Sequence, residues 1–152
     1  MKKKKILVVD DEEDIRYILR RLLEEEDYEV VEASGGPQCL ELIKREKPDL
    51  VILDILMPDL NGWEVCRTLK ESPSLPKMPV AMLSVLGDTE DMKTSLDYAL
   101  ADSHLTKPVD FPVLSMTIKE LLKKPPKRPE REPEGSGSAE FFTPHKFDDN
   151  NT

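Results

Sequence analysis

The chain is poor in several features that would place it in large functional classes. Basic charge is one. Its 22 Lys and Arg stand against 31 Asp and Glu, a formal net charge of −9, whereas a nucleic-acid-binding surface needs a basic face. The one basic cluster, Lys2, Lys3, Lys4 and Lys5, reads as a solvated N-terminus. Long hydrophobic runs are missing as well. No stretch approaches the ~20 apolar residues of a membrane span. The run "ILVV" behind the lysines is too short for a secretory core and leads straight into "DDEED". Cysteine is scarce: Cys39 and Cys66 lack metal-ligand spacing. Each falls on the apolar face of an expected helix, which predicts buried reduced thiols in a cytoplasmic protein.

What is present is a strict alternation of two kinds of segment. At 152 residues the chain is one domain's worth. Short apolar runs predict strands at "ILVV", "EVVEA", "LVILD", "PVAML" and "SHLT". Between and after them come amphipathic runs of helical period: "IRYILRRLLEEE", "GGPQCLELIKREK", "WEVCRTLKE", "TEDMKTSLDYAL" and "FPVLSMTIKELLKK". Strand and helix in repeated alternation predict an α/β fold: a doubly wound, five-stranded parallel sheet with helices on both faces.

Composition changes after Lys124. Residues 1–124 form the expected domain. Residues 125–138 are Pro- and charge-rich, then Gly/Ser-rich, and cannot bury a core. Residues 139–152 hold three of the four Phe residues, Phe141, Phe142 and Phe147. An appended peptide and a natural tether both remain open for this tail.

In "LVILDILMPD" a carboxylate, Asp54, closes a strand meant for burial, which is costly unless its charge is balanced. Open parallel sheets gather function at the carboxyl ends of their strands. There the first strand ends in Asp10 and Asp11, the third in Asp54, the fourth in Ser84, and the fifth in Lys107 followed by Pro108. Clustered carboxylates raise one another's pKa and call for a cation. Hard oxygen ligands at an open site suit Mg²⁺. Lys107 offers a point charge for a phosphoryl oxygen and Ser84 a hydroxyl. A carboxylate nucleophile in that company is a phosphoryl-transfer arrangement. Each residue alone has a plainer reading. The acidic run from Asp10 to Asp14 suits a helix start, Asp54 suits a turn, and Lys107 suits the surface. The joint placement at strand ends is what points to chemistry.

The blocks "ILVVDDEEDIR", "LVILDILMPDLNGWE" and "LTKP" resemble those of response-regulator receiver domains, the phosphorylatable switches of two-component signalling, over residues ~5 to 124. The resemblance implies a flavodoxin-like (βα)5 fold with strand order 2-1-3-4-5. It implies Asp54 as phospho-acceptor, with Mg²⁺ held by Asp10, Asp11, Asp54 and the Leu56 backbone carbonyl. It also implies Ser84 as switch hydroxyl, Lys107 as the phosphoryl-binding lysine and a cis Lys107–Pro108 bond. The phosphodonor would be a histidine kinase or phosphotransfer protein. The output would run through the face of helix 4, strand 5 and helix 5 to a protein partner, with phosphorylation-dependent homodimerisation left open.

The sequence departs from that pattern at three places. His104 stands at the switch position usually held by Tyr or Phe, either as a pH-sensitive switch or as a partly exposed strand residue without a role. Leu100 stands where the family usually has Gly, so helix 4 is expected to end differently. Leu56 and Leu86, which flank the phosphoryl group, are apolar and cannot orient a water, which predicts a long-lived phosphorylated state. With no basic helix-turn-helix, zinc spacing, P-loop or GGDEF-like block in the sequence, the chain is expected to act by protein contact, as a stand-alone receiver or one excised from something longer. Two rival readings are an unphosphorylated scaffold carrying its C-terminal peptide, and a haloacid-dehalogenase-type phosphatase. The latter needs D-x-D-x-[TV] after strand 1, where this chain has "DDEED".

Overall fold

The computed structural model describes residues 2–85 and 88–129. The elements run β1 (Lys5–Val9), α1 (Glu13–Glu25), β2 (Glu29–Ala33), α2 (Gly36–Glu46), β3 (Leu50–Leu53), α3 (Gly62–Glu71), β4 (Val80–Ser84), α4 (Thr89–Lys93), β5 (Ser103–Thr106) and α5 (Phe111–Lys123). All neighbouring strands pair in parallel, in the order β2-β1-β3-β4-β5. This is the expected doubly wound, flavodoxin-like sheet.

Side-chain alternation along the strands divides the core in two. Leu7, Val9, Val51, Leu53, Val80 and Met82 face one side, where Cys39, Leu42 and Ile43 of α2 and Val65, Cys66 and Leu69 of α3 cover them. Ile6, Val8, Leu50, Ile52, Ala81 and Leu83 face the other, under Leu19 and Leu23 of α1 and Leu114, Ile118 and Leu121 of α5. The inner strands are therefore buried on both faces and read as unbroken apolar runs. Both cysteines are free and buried, and burial pushes each thiol up to about 12, so neither is a reactive thiolate.

The fourth helix differs from its periodicity. The sequence predicts one helix over residues 89–100, but α4 passes after Lys93 into a π-helical turn, Thr94–Tyr98. The Ala99 N–H reaches back to Thr94 O at 3.0 Å and the Ala101 N–H to Ser95 O at 2.8 Å. The wider turn brings a serine to the inner face: Ser95 is fully buried. Its hydroxyl accepts Trp63 Nε1–H at 2.8 Å and lies 2.7 Å from His104 Nδ1. Leu100 then adopts a left-handed φ of 63°. The helix thus stops where a glycine would suit it, with leucine bearing a conformational cost of about 1–2 kcal/mol.

The N-terminal edge of the sheet carries a buried ion pair. Lys70, on the last turn of α3, meets Asp102 at 2.6 Å, with side chains 2% and 6% exposed. Asp102 Oδ2 also accepts the Val80 N–H at 2.8 Å.

Candidate functional site

Sheet register builds the site before any side chain is considered. Val9 of β1 lies beside Leu53 of β3, so the next residues, Asp10 and Asp54, emerge side by side. The Asp54 N–H extends the ladder to Val9 O at 3.0 Å, and Asp10 N–H to Ala33 O at 3.1 Å. Ser84, the last residue of β4, is fully buried and pairs with Thr106. The Lys107 N–H then donates to Ser84 O at 2.8 Å, and the Lys107–Pro108 bond is cis.

Asp10 and Asp54 are 2% and 5% exposed, while Asp11 is at the surface. Each of the three offers a carboxylate oxygen within 4.8 Å of the others. Lys107 Nζ donates to Asp10 Oδ2 at 2.8 Å and stands 3.6 Å from Asp54 Oδ2 and from Glu12 Oε1. The other Asp10 oxygen accepts the Glu12 N–H at 2.9 Å, so this aspartate shapes the start of α1 while facing the cluster.

One ammonium does not balance three carboxylates. Burial, then the Asp10 charge, push the Asp54 carboxyl up from 3.8 to about 6, against the opposing pull of Lys107 and of the Leu56 backbone N–H. Lys107 shows the mirror image. Burial pulls its pKa down, but the bond to Asp10 and the charges of Asp10, Asp54 and Glu12 outweigh it, and the net direction is upward. A second cation has a ready place, and the donor set of hard carboxylate oxygens fits a divalent ion such as Mg²⁺.

The loop after Asp54 is pinned. Asn61 caps α3 by accepting the Trp63 N–H at 2.7 Å, and the Gly62 N–H donates to Ile55 O at 2.8 Å. A Cβ at Gly62 would lie 2.2 Å from Asp54 O and 2.6 Å from Ile55 Cα. No side chain fits there, so "NG" in this loop is a packing requirement as well as a turn signal. Leu56 is 51% exposed, and its N–H contact with the Asp54 carboxylate brings that peptide to the cluster. Leu86 lies outside the described residues.

His104 is buried, 7% exposed, and not the partly exposed strand residue of the plainer reading. It sits on β5 away from the carboxylates, tied through Ser95 to Trp63 of α3. Glu12, Arg16, Ser95 and Trp63 were not legible as site residues. Arg16 Nη1 donates to Asp10 O at 2.7 Å, positioning the strand end. Glu12 lies within the visible acidic run, whereas nothing in the local sequence marks Ser95.

The model of the response regulator receiver domain matches residues 6–119. The chain belongs to that family. A "Probable transcriptional regulator ycf27" of Cyanophora paradoxa is 42% identical over 124 residues, 82% of this chain and 50% of that protein. "Response regulator PleD" of Caulobacter vibrioides is 37% identical over 106 residues, 70% of this chain and 23% of the relative. Among solved structures, the BeF3-activated N-terminal receiver domain of Klebsiella pneumoniae RstA aligns with a TM-score of 0.74 at 30% identity, over 80% of this chain and all of that one. A receiver domain of a histidine kinase from Syntrophus aciditrophicus aligns with a TM-score of 0.72 at 35% identity, over 87% of this chain and 98% of its own. This receiver therefore spans half the length or less of the curated relatives just named.

Proposed function

We propose that this receiver is a phospho-accepting switch in which Asp54 is the acceptor. The observation that carries the reading is the charge imbalance at the strand ends: three carboxylates within 4.8 Å and a single lysine. The Asp54 carboxylate attacks phosphorus, an O–P bond forms, and the N–P bond of a phosphohistidine donor breaks as the imidazole departs. Asp10, Asp11, Asp54 and the Leu56 carbonyl would hold Mg²⁺, which would supply charge neutralisation for the phosphoryl oxygens. Lys107, 3.6 Å from Asp54, turns its ammonium from the carboxylates to the incoming group, and Ser84 supplies a hydroxyl donor from β4. The domain thus promotes its own phosphorylation and dephosphorylation without being an enzyme that turns over substrate. The apolar Leu56 side chain leaves water unoriented beside the acyl phosphate and prolongs it.

The phosphodonor reading is supported by an apolar groove beside the site. Ile15, Ile18 and Leu19 of α1 face Pro108 and Val109 across a volume of about 230 Å³, which suits the apolar side of a kinase or phosphotransfer helix. Output through α4, β5 and α5 is supported by exposed Met92, Val113 and Met116 on those helices. Its partner is a protein or a second copy of the chain. Cytoplasmic placement follows from this role, and no described helix is long and apolar enough to cross a membrane.

Intact-protein mass spectrometry after incubation with acetyl phosphate tests the reading. A single phosphoryl adduct is expected that requires Mg²⁺ and disappears in Asp54→Asn. An adduct indifferent to Asp54, or none, would overturn it in favour of the scaffold.

A further inference from the structure

The described chain does not leave the domain at the end of α5. It turns back beneath the N-terminal edge of β5, where Lys127 makes two contacts. Its backbone N–H donates to Asp102 Oδ1 and its Nζ to the Leu96 carbonyl, each at 2.7 Å. The two acceptors belong to different parts of the molecule. Asp102 is fixed, because Oδ2 takes the buried Lys70 ammonium at 2.6 Å and the Val80 N–H at 2.8 Å, and the Asp102 N–H donates to Val80 O at 2.8 Å.

Leu96 belongs to the π turn, and that turn ends on borrowed donors. The Thr94 and Ser95 carbonyls take the Ala99 and Ala101 N–H groups. Leu96 O takes Lys127 Nζ, and Tyr98 O takes the Arg67 guanidinium from α3. Helix ends need such partners for their last carbonyls. The same turn carries Ser95, which holds His104 of β5 and Trp63 of α3. A displacement of α4 would therefore move Leu96 O relative to Asp102 and pull on the two bonds by which Lys127 joins them.

We propose that residues 125–129 are a latch between the receiver body and α4, closed in the unphosphorylated domain and opened when α4 shifts. The proposal rests on the phospho-acceptor reading of Asp54 and deepens it by naming an output element. Both Lys127 bonds lie at the surface, where water competes for them and opening is easy. Pro125, Pro126 and Pro129 fix φ along the segment, so it swings as a stiff piece. Coupling is reciprocal: the closed latch also holds the π turn in place.

The prolines make the test clean, because only Lys127 and Arg128 carry amide hydrogens in the segment. Hydrogen exchange by NMR on the full chain, without phosphodonor, compares wild type with Lys127→Met. The Ala99 and Ala101 amides are expected to exchange about fivefold faster in the variant, and unchanged rates would overturn the latch outright. A second arm adds acetyl phosphate and Mg²⁺ and reads the intact mass of the same sample. Where the adduct is present, the Lys127 amide is expected to exchange about tenfold faster than before. Full adduct with unchanged exchange overturns the release while leaving Asp54 as acceptor. No adduct overturns the phosphorylation-driven release together with the reading beneath it, and the first arm still decides whether the latch holds the turn.

Discussion

The two edges of the sheet are built from the same materials and reach opposite results. At the N-terminal edge, Lys70 and Asp102 are buried as one charge against one charge, and the Val80 and Lys127 N–H groups complete the carboxylate's bonds. At the C-terminal edge, Lys107 faces Asp10, Asp54 and Glu12, with Asp11 close by. The first is closed and needs nothing. The second is left with excess negative charge that a cation or a phosphoryl-bearing partner can use. Burial of charge is common to both edges; imbalance marks the functional one.

That contrast is most easily broken at the quiet edge. Lys70→Met strands a buried carboxylate and is expected to destabilise the domain by about 3–5 kcal/mol in urea denaturation. Pairing it with Asp102→Asn should recover at least half of the loss. A single substitution costing under about 1 kcal/mol would show that the pair is not the anchor described.

The active edge should respond with the opposite sign. A carboxyl raised from 3.8 to about 6 on folding binds its proton more tightly in the folded state, so ionisation penalises folding. The penalty is absent below the unfolded value, grows as pH rises through the folded one, and is fully present above it. Asp54→Asn should therefore stabilise the metal-free protein at pH 7 by about 2–3 kcal/mol, with the gain vanishing near pH 4. Thermal melts across that range in a chelating buffer are the check. Saturating Mg²⁺ should stabilise wild type more than the variant, and equal stabilisation would place the ion elsewhere.

The smallest effect sharpens the comparison by touching neither cluster. Leu100→Gly relieves a left-handed φ of 63° and should stabilise by about 0.5–1 kcal/mol. It should do so without altering phosphorylation by acetyl phosphate.

These edges were unequally legible in the sequence. The active one could be read because β1, β3 and β4 are covered on both faces, so their apolar runs are unbroken and the polar residue ending each run stands out. The pair at the other edge gave no such sign. Lys70 and Asp102 lie 32 positions apart, and each resembles an ordinary solvated residue at a helix end or a turn. The π turn leaves no mark in the sequence, because "TEDMKTSLDYAL" fits a 3.6-residue period as one helix, while the wider winding goes with a buried, hydrogen-bonded Ser95. Leu100 could be flagged only against the family's glycine, since a leucine does not announce the sign of its φ.

The tight seat of Gly62 against Asp54 and Ile55 has a mechanical meaning. Backbone packed against backbone leaves Asp54 no slack on the α3 side, so the loop there could not recoil from a bulky, charged group. That side of the cluster is an anvil. If Asp54 is the acceptor proposed above, displacement there would be turned across the sheet toward β4, β5 and α4, which would give the signal a direction before any partner is present to receive it.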